Sequence, residues 1–183
     1  GLQDQSLTAL QALYPSGETV DGPLRPGSDR PYYRAFHATA GATAALGPDI
    51  PLAAHWADGI ELVGYTKEGE AAQGQTLAVT LFYRATAAPS DNYTAFVHLL
   101  GPPKADGSPV WAQSDSEPCG GGLPTDKWRP GDVIRDTVTL QLPPDLPPGE
   151  YRLVTGFYTW PELVRLEMSE GGDAVELATI NIR

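Results

Sequence analysis

The sequence predicts a mainly β protein, an antiparallel β-sandwich of the Ig-like or jelly-roll-like kind, with a short N-terminal α/β appendage. Three observations support this fold class. The 183 residues include 20 glycines and 18 prolines, a density that short strands joined by turns tolerate and long helices do not. From residue 50 onward, short segments rich in Val, Leu, Thr, Tyr and Phe recur between clusters of Gly, Pro, Asp and Asn. Several of these segments alternate apolar and polar residues, as half-buried antiparallel strands do.

The first part of the chain, residues 1–48, reads as a small α/β appendage. Leu7, Leu10 and Tyr14 are spaced three and four residues apart, which indicates one face of a helix, and Pro15 stops it. The remaining pattern there predicts two strands and an Ala/Gly-rich linker. The predicted elements are a helix over 4–14, strands at 18–20 and 32–39, and a linker at 40–47.

Residues 49–183 read as the sandwich domain, with no helical segments between the strands that would build parallel β-α-β units. The predicted strands are 51–56, 60–66, 75–85, 93–100, 110–115, 133–142, 150–159, 164–168 and 174–182. Alternation predicts the buried face of three of them. These faces carry Leu77, Val79, Leu81 and Tyr83; Ile134, Asp136, Val138, Leu140 and Leu142; and Tyr151, Leu153, Thr155 and Phe157.

Charge, cysteine content and apolar runs exclude several kinds of partner and of structure. A net charge of −11 repels phosphate backbones and anionic lipid, so we expect no nucleic-acid partner. The single cysteine, Cys119, cannot form an intramolecular disulfide. No apolar run approaches the roughly 20 residues that span a bilayer. Because the chain begins at Gly1 rather than at Met, we expect an excised or processed piece.

The motif content predicts no metal, no cofactor and no catalytic residue. The three histidines lack ligand-competent neighbours at the spacing of a metal motif. The acidic segment around Asp115 and Glu117 could offer oxygens to calcium, but a solvated acidic loop is the favoured interpretation. Cys119 lies in a Pro-Cys-Gly-Gly-Gly loop, and Gly122 is followed by Leu123 rather than by the Lys of a phosphate-binding loop.

Aromatic residues at strand ends and in loops are the candidates for ligand binding. Flat aromatic rings stack on the apolar faces of sugars, while carboxylates accept hydrogen bonds from the hydroxyls. The alternative is that each large ring plugs an end of the sandwich. The candidate ligand-binding residues are Trp111, Asp115, Glu117, Trp128, Tyr158 and Trp160.

Two further features predict local structure. His98 lies on a strand, on the face opposite Tyr93 and Val97, and a buried histidine there needs a partner such as Asp115 or Asp136. Gly64 and Gly156 interrupt strands, which indicates a bulge or a close backbone approach.

A set of strings carries a resemblance to a known family. These strings are Ile60–Tyr65, Asp91–Leu100, Gln113–Pro118, Leu123–Thr125 with Trp128, Pro130–Asp136, Pro148–Leu153 running on to Gly156–Tyr158, and Arg165-Leu166. As a set, the sequence resembles the C-terminal extracytoplasmic β-sandwich region of bacterial multi-spanning membrane glycosyltransferases of the dolichyl-phosphate-mannose mannosyltransferase-like kind. Residues 7–39 look like the α/β stretch that precedes that region. The resemblance implies that the catalytic acids lie in the membrane part, so no catalytic residue carries over to this chain.

Together these observations lead us to expect a non-catalytic accessory domain outside the cytoplasmic membrane, tethered to a membrane glycosyltransferase. Its partners would be the parent membrane protein and a glycan that it binds or positions. The alternative is a purely structural or protein-interaction sandwich. A third hypothesis is a hydrolase that uses scattered carboxylates roughly 5–10 Å apart.

Overall fold

The computed structural model describes residues 18–21, 26–28, 34–37 and 47–182. The chain divides into two compact units, Gly1–Gly47 and Pro48–Arg183. In the first unit, β1 (Glu18–Asp21) pairs antiparallel with β2 (Arg34–His37). β1 extends one residue beyond the strand expected at 18–20, and β2 lies within the strand expected at 32–39. The helix predicted over 4–14 and the linker predicted at 40–47 fall outside the described residues, except for Gly47.

The described part of the second unit contains two antiparallel four-stranded sheets, so the predicted β-sandwich architecture is confirmed. Its strands are β3 (Ile50–Trp56), β4 (Ile60–Glu68), β5 (Thr76–Ala85), β6 (Tyr93–Leu100), β7 (Val110–Ser116), β8 (Val133–Gln141), β9 (Gly149–Thr159) and β10 (Ala174–Ile182). One sheet has the order β3-β4-β5-β8 and the other β10-β9-β6-β7. The chain therefore crosses between the sheets after β5, β7 and β8.

The core lies between the inner faces of the two sheets, and alternation along the strands fills it. The three predicted inward faces, on β5, β8 and β9, are all buried. Burying this apolar surface supplies the main stabilising free energy of the fold. Asp136 is buried among these side chains, as its position on the inward face of β8 predicted.

The segment 164–168 does not form the predicted strand. Arg165 forms an isolated bridge with Tyr158 on β9, whereas Met168 forms one with Trp56 on β3. Next to the bridge with Trp56, the Ala57 N–H donates to the Glu167 carbonyl. The segment leaves one sheet for the other within a few residues, so neither pairing extends into a ladder. We call residues 160–169 the crossover segment.

The two glycines that interrupt strands occupy positions where a side chain does not fit. Gly64 has a φ of 150° and sits at a register shift between β4 and β5, and an added Cβ would lie 2.5 Å from the Ile50 carbonyl oxygen. At Gly156 an added Cβ would lie 2.5 Å from the Asp173 carbonyl oxygen and 2.6 Å from the Phe96 ring. Both observations confirm the predicted bulge or close approach.

Candidate functional site

A cluster of aromatic and charged side chains lies on the outward face of the β10-β9-β6-β7 sheet. The inward-facing residues of β6 belong to the core, so the alternating residues Phe96 and His98 point to the opposite face. Phe96 is paired in register with Asp115 on β7 and with Gly156 on β9. The absent side chain at Gly156 leaves room for the Phe96 ring against the strand. We call Phe96, His98, Asp115, Tyr158 and Arg165 the Asp115 cluster.

The carboxylate of Asp115 joins residues of three strands. Its Oδ1 lies 2.8 Å from His98 Nε2, and its Oδ2 accepts a hydrogen bond of 3.2 Å from the Tyr158 hydroxyl. Because an ionised carboxylate only accepts, we assign the proton of this pair to His98 Nε2. His98 on β6 and Tyr158 on β9 therefore hold the carboxylate of β7 from two sides. This confirms the predicted pairing of His98, and it selects Asp115 over Asp136 as the partner.

Aromatic contacts complete the cluster. The Phe96 ring centroid lies 4.7 Å from the His98 ring and 6.4 Å from the Tyr158 ring. The Arg165 guanidinium covers the Phe96 ring, with Cζ 3.9 Å from the centroid. Phe96 is consequently only 1% exposed although it points away from the core. Phe96 thus lies beneath His98, Tyr158 and Arg165, and the polar groups of these residues form the outer surface of the cluster.

Burial raises the pKa of the Tyr158 hydroxyl, and the neighbouring Asp115 carboxylate raises it further, while Arg165 acts in the opposite direction. Tyr158 therefore stays protonated at neutral pH and keeps its role as a hydrogen-bond donor. Gln113 and Arg165 are exposed and Thr94 is half-buried on the same face. Thr94 is paired in register with Tyr158, and Gln113 with His98. Acceptors and donors suited to hydroxyl groups thus surround the cluster.

The structure brings together only two of the six residues proposed from the sequence as ligand contacts, Asp115 and Tyr158. Trp111 lies nearer the other end of β7, where its Nε1 donates to the Pro102 carbonyl and its ring packs edge-on against Tyr151. Glu117 is half-buried and precedes the 3-10 turn at Pro118–Gly121. Trp160 is 70% exposed and begins the crossover segment.

Trp128 is a correction to the candidate site. It is 1% exposed, its Nε1 donates to the Leu123 carbonyl at 3.0 Å, and its ring lies 5.9 Å from that of Tyr83. A ring enclosed in this way offers no face to a ligand from solution. The alternative interpretation, a plug at the end of the sandwich, describes this residue.

Sequence reasoning missed Phe96 and Arg165 as members of a site. Strand alternation contained the signal for Phe96, because its neighbours Ala95 and Val97 face inward. Nothing in the spacing of the crossover segment could locate Arg165 over Phe96, because that contact depends on where the segment crosses the sheet. Among the described residues, no group of three or more His, Cys, Asp and Glu side chains is placed to hold a metal ion.

Comparisons with known proteins give a structural likeness. No protein-family model matches the chain, and no curated protein matches it. Among solved structures, one described as the crystal structure of the C-terminal domain of Wzt is similar to this chain, with a TM-score of 0.46 and 13% sequence identity. The match covers 75% of this chain and 83% of that chain.

In the part of this chain that the structure describes, no helix has the length and apolarity to cross a bilayer.

Proposed function

We propose that this chain is a non-catalytic glycan-binding domain, and that the Asp115 cluster is its binding face. The observation that carries the proposal is the Asp115 carboxylate, fixed by His98 and Tyr158 on an outward sheet face that also presents Arg165. A carboxylate oriented in this way loses less side-chain entropy when it accepts hydrogen bonds from neighbouring sugar hydroxyls. The partly exposed Tyr158 ring adds an apolar surface for the face of a sugar ring.

The shape of the site sets the expected affinity. The cluster lies on an outward sheet face, where Tyr158 would contact the sugar ring and Asp115 would accept from its hydroxyls. These two residues supply few contacts. Binding of a single glycan should therefore lie near the millimolar range, about −4 kcal/mol. Such weak binding is useful when the domain is held close to its glycan by the protein that carries it, since tethering raises the effective concentration.

The experiment that tests the proposal compares two tyrosine variants on the same strand. Tyr158→Phe removes the hydroxyl that donates to Asp115, whereas Tyr151→Phe removes a hydroxyl that donates to the Pro147 carbonyl from the core side of β9. We expect Tyr158→Phe to weaken binding to a panel of oligosaccharides about fivefold or more, since one hydrogen bond contributes about 1 kcal/mol. Tyr151→Phe should leave the affinity unchanged. Equal binding by both variants would contradict the assignment of this face.

The setting of the domain is a second part of the proposal. We infer from the sequence resemblance that the domain is displayed outside the cytoplasmic membrane, attached to a membrane glycosyltransferase whose glycan it positions. Reading the complete gene tests this inference. Transmembrane segments encoded upstream of residue 1 are the expected result, and a reading frame that encodes this domain alone would refute it.

A further inference from the structure

The Arg165 guanidinium lies against an aromatic ring and forms no ion pair with any residue that the structure describes. Its Cζ lies 3.9 Å from the Phe96 ring centroid, and its backbone is held to β9 through the isolated bridge with Tyr158. On either side of it in the chain, the Leu166 N–H donates to the Phe157 carbonyl and the Thr159 N–H to the Val164 carbonyl. The backbone bonds and the ring contact together place the Arg165 side chain above the sheet.

Two other arginines on the same unit, Arg84 and Arg152, form ion pairs. Arg84 pairs with Glu61 at 3.4 Å, and Arg152 pairs with Glu176 at 3.7 Å. Within the described residues, no carboxylate lies within 4.0 Å of Arg165 and no side chain accepts a hydrogen bond from it. The nearby Asp115 carboxylate accepts instead from His98 and Tyr158. The hydrogen-bond donors of Arg165 therefore remain available at the surface of the cluster.

An available guanidinium is a selective group in so acidic a protein. Its planar set of donors matches the two oxygens of a carboxylate or a phosphate, and such charge-assisted bonds are about twice as strong as neutral ones. The Phe96 ring removes water from one face of the guanidinium, which strengthens its interaction with an anion. The chain as a whole, at a net charge of −11, repels anions that do not reach this position.

We infer that the glycan bound at the Asp115 cluster carries an anionic group, a carboxylate or a phosphate, that pairs with Arg165 while the sugar hydroxyls meet Asp115. This inference rests on the proposed function and specifies its ligand class. The two contacts have separate requirements, since the anion needs the donors of Arg165 and the hydroxyls need the acceptor oxygens of Asp115.

The test uses pairs of trisaccharides of mannose, glucose and galactose, each in its neutral form and in its uronic acid form, with mannose 6-phosphate as the phosphate arm. The wild-type domain should bind the acidic member of at least one pair about tenfold or more tightly than the neutral member. Arg165→Gln should weaken binding of the acidic member more than binding of the neutral member, so that the preference falls to less than about twofold. Binding of the acidic member should also weaken as salt is raised. Stronger binding of mannose 6-phosphate than of any uronic form would identify phosphate as the anionic group.

Arg152→Gln is the matched control, because Arg152 is an exposed arginine of the same sheet that already pairs with Glu176. It should leave the preference for the acidic form intact. Equal binding of the neutral and acidic members, each sensitive to Tyr158→Phe, would refute the anionic ligand and leave the glycan-binding proposal standing. Absence of binding to every sugar would overturn both. An acidic preference that survives Arg165→Gln would show that another group reads the anion.

Discussion

Trp128 and Trp160 give the clearest contrast between an aromatic residue that stabilises the sandwich and one that is free for contact. Trp128 is 1% exposed and Trp160 is 70% exposed. Truncating a buried tryptophan to alanine typically costs about 3–5 kcal/mol. Trp128→Ala also removes the hydrogen bond to the Leu123 carbonyl, which leaves that oxygen without its partner. We therefore expect Trp128→Ala to lower the free energy of unfolding by about 4 kcal/mol, which corresponds to a fall in Tm of roughly 8–16 °C for a chain of this size.

Urea denaturation followed by far-UV circular dichroism measures this change without relying on tryptophan fluorescence. Trp160→Ala is the control, and its free energy of unfolding should lie within about 0.5 kcal/mol of the wild-type value. A loss below about 1 kcal/mol for Trp128→Ala would refute the assignment of this ring to the core. An equal loss for Trp160→Ala would show that the exposed ring also packs against the fold.

Three other predictions concern the core and the glycine-rich loop. Leu81→Ala and Leu140→Ala should each lower the free energy of unfolding by about 2–5 kcal/mol in the same urea assay, since both side chains are fully buried; a negligible change in midpoint would contradict the inward assignment of that strand. Burial raises the pKa of Asp136, which is 1% exposed, so the fold favours the protonated carboxyl. The free energy of unfolding should therefore be highest below the unfolded-state pKa of Asp136 and should fall as the pH rises through its folded-state pKa. Asp136→Asn keeps an acceptor for the Cys119 N–H and should flatten this fall when urea titrations are compared at a series of pH values above the ordinary pKa of an aspartate. A wild-type slope in the variant would contradict this expectation. Reductant should leave the stability unchanged, because Cys119 has no second cysteine to pair with, and a reductant-sensitive dimer in size-exclusion chromatography would instead show pairing between chains.

Much of the fold could be predicted from the sequence because the period of two in strands is a local signal. The alternation on β5, β8 and β9 identified their inward faces residue by residue. The segment 164–168 has the same composition as a strand, but its hydrogen bonds are divided between Tyr158 on one sheet and Trp56 on the other. That division depends on how the sheets are stacked, and no local pattern encodes it.

The candidate site could be predicted only in part, because it joins residues that are distant in the sequence. Asp115 and Tyr158 are brought together by the pairing of β6 with both β7 and β9, and strand order cannot be read from alternation. An aromatic residue type likewise does not predict exposure. Trp128 lies in a loop and Trp160 follows the end of β9, yet only Trp128 is buried. Packing decides which ring is free.

The measurement that tests the central claim most directly is an NMR titration of the wild-type domain with the tightest-binding oligosaccharide of the panel. If the Asp115 cluster binds glycans, the largest chemical-shift changes should map to Phe96, Asp115 and Tyr158 and to the side chain of Arg165, at millimolar sugar concentrations. The indole signal of Trp128 should not move, because that ring is enclosed in the core. Shifts confined to another face of the sandwich, or no saturable shifts with any sugar, would contradict the account.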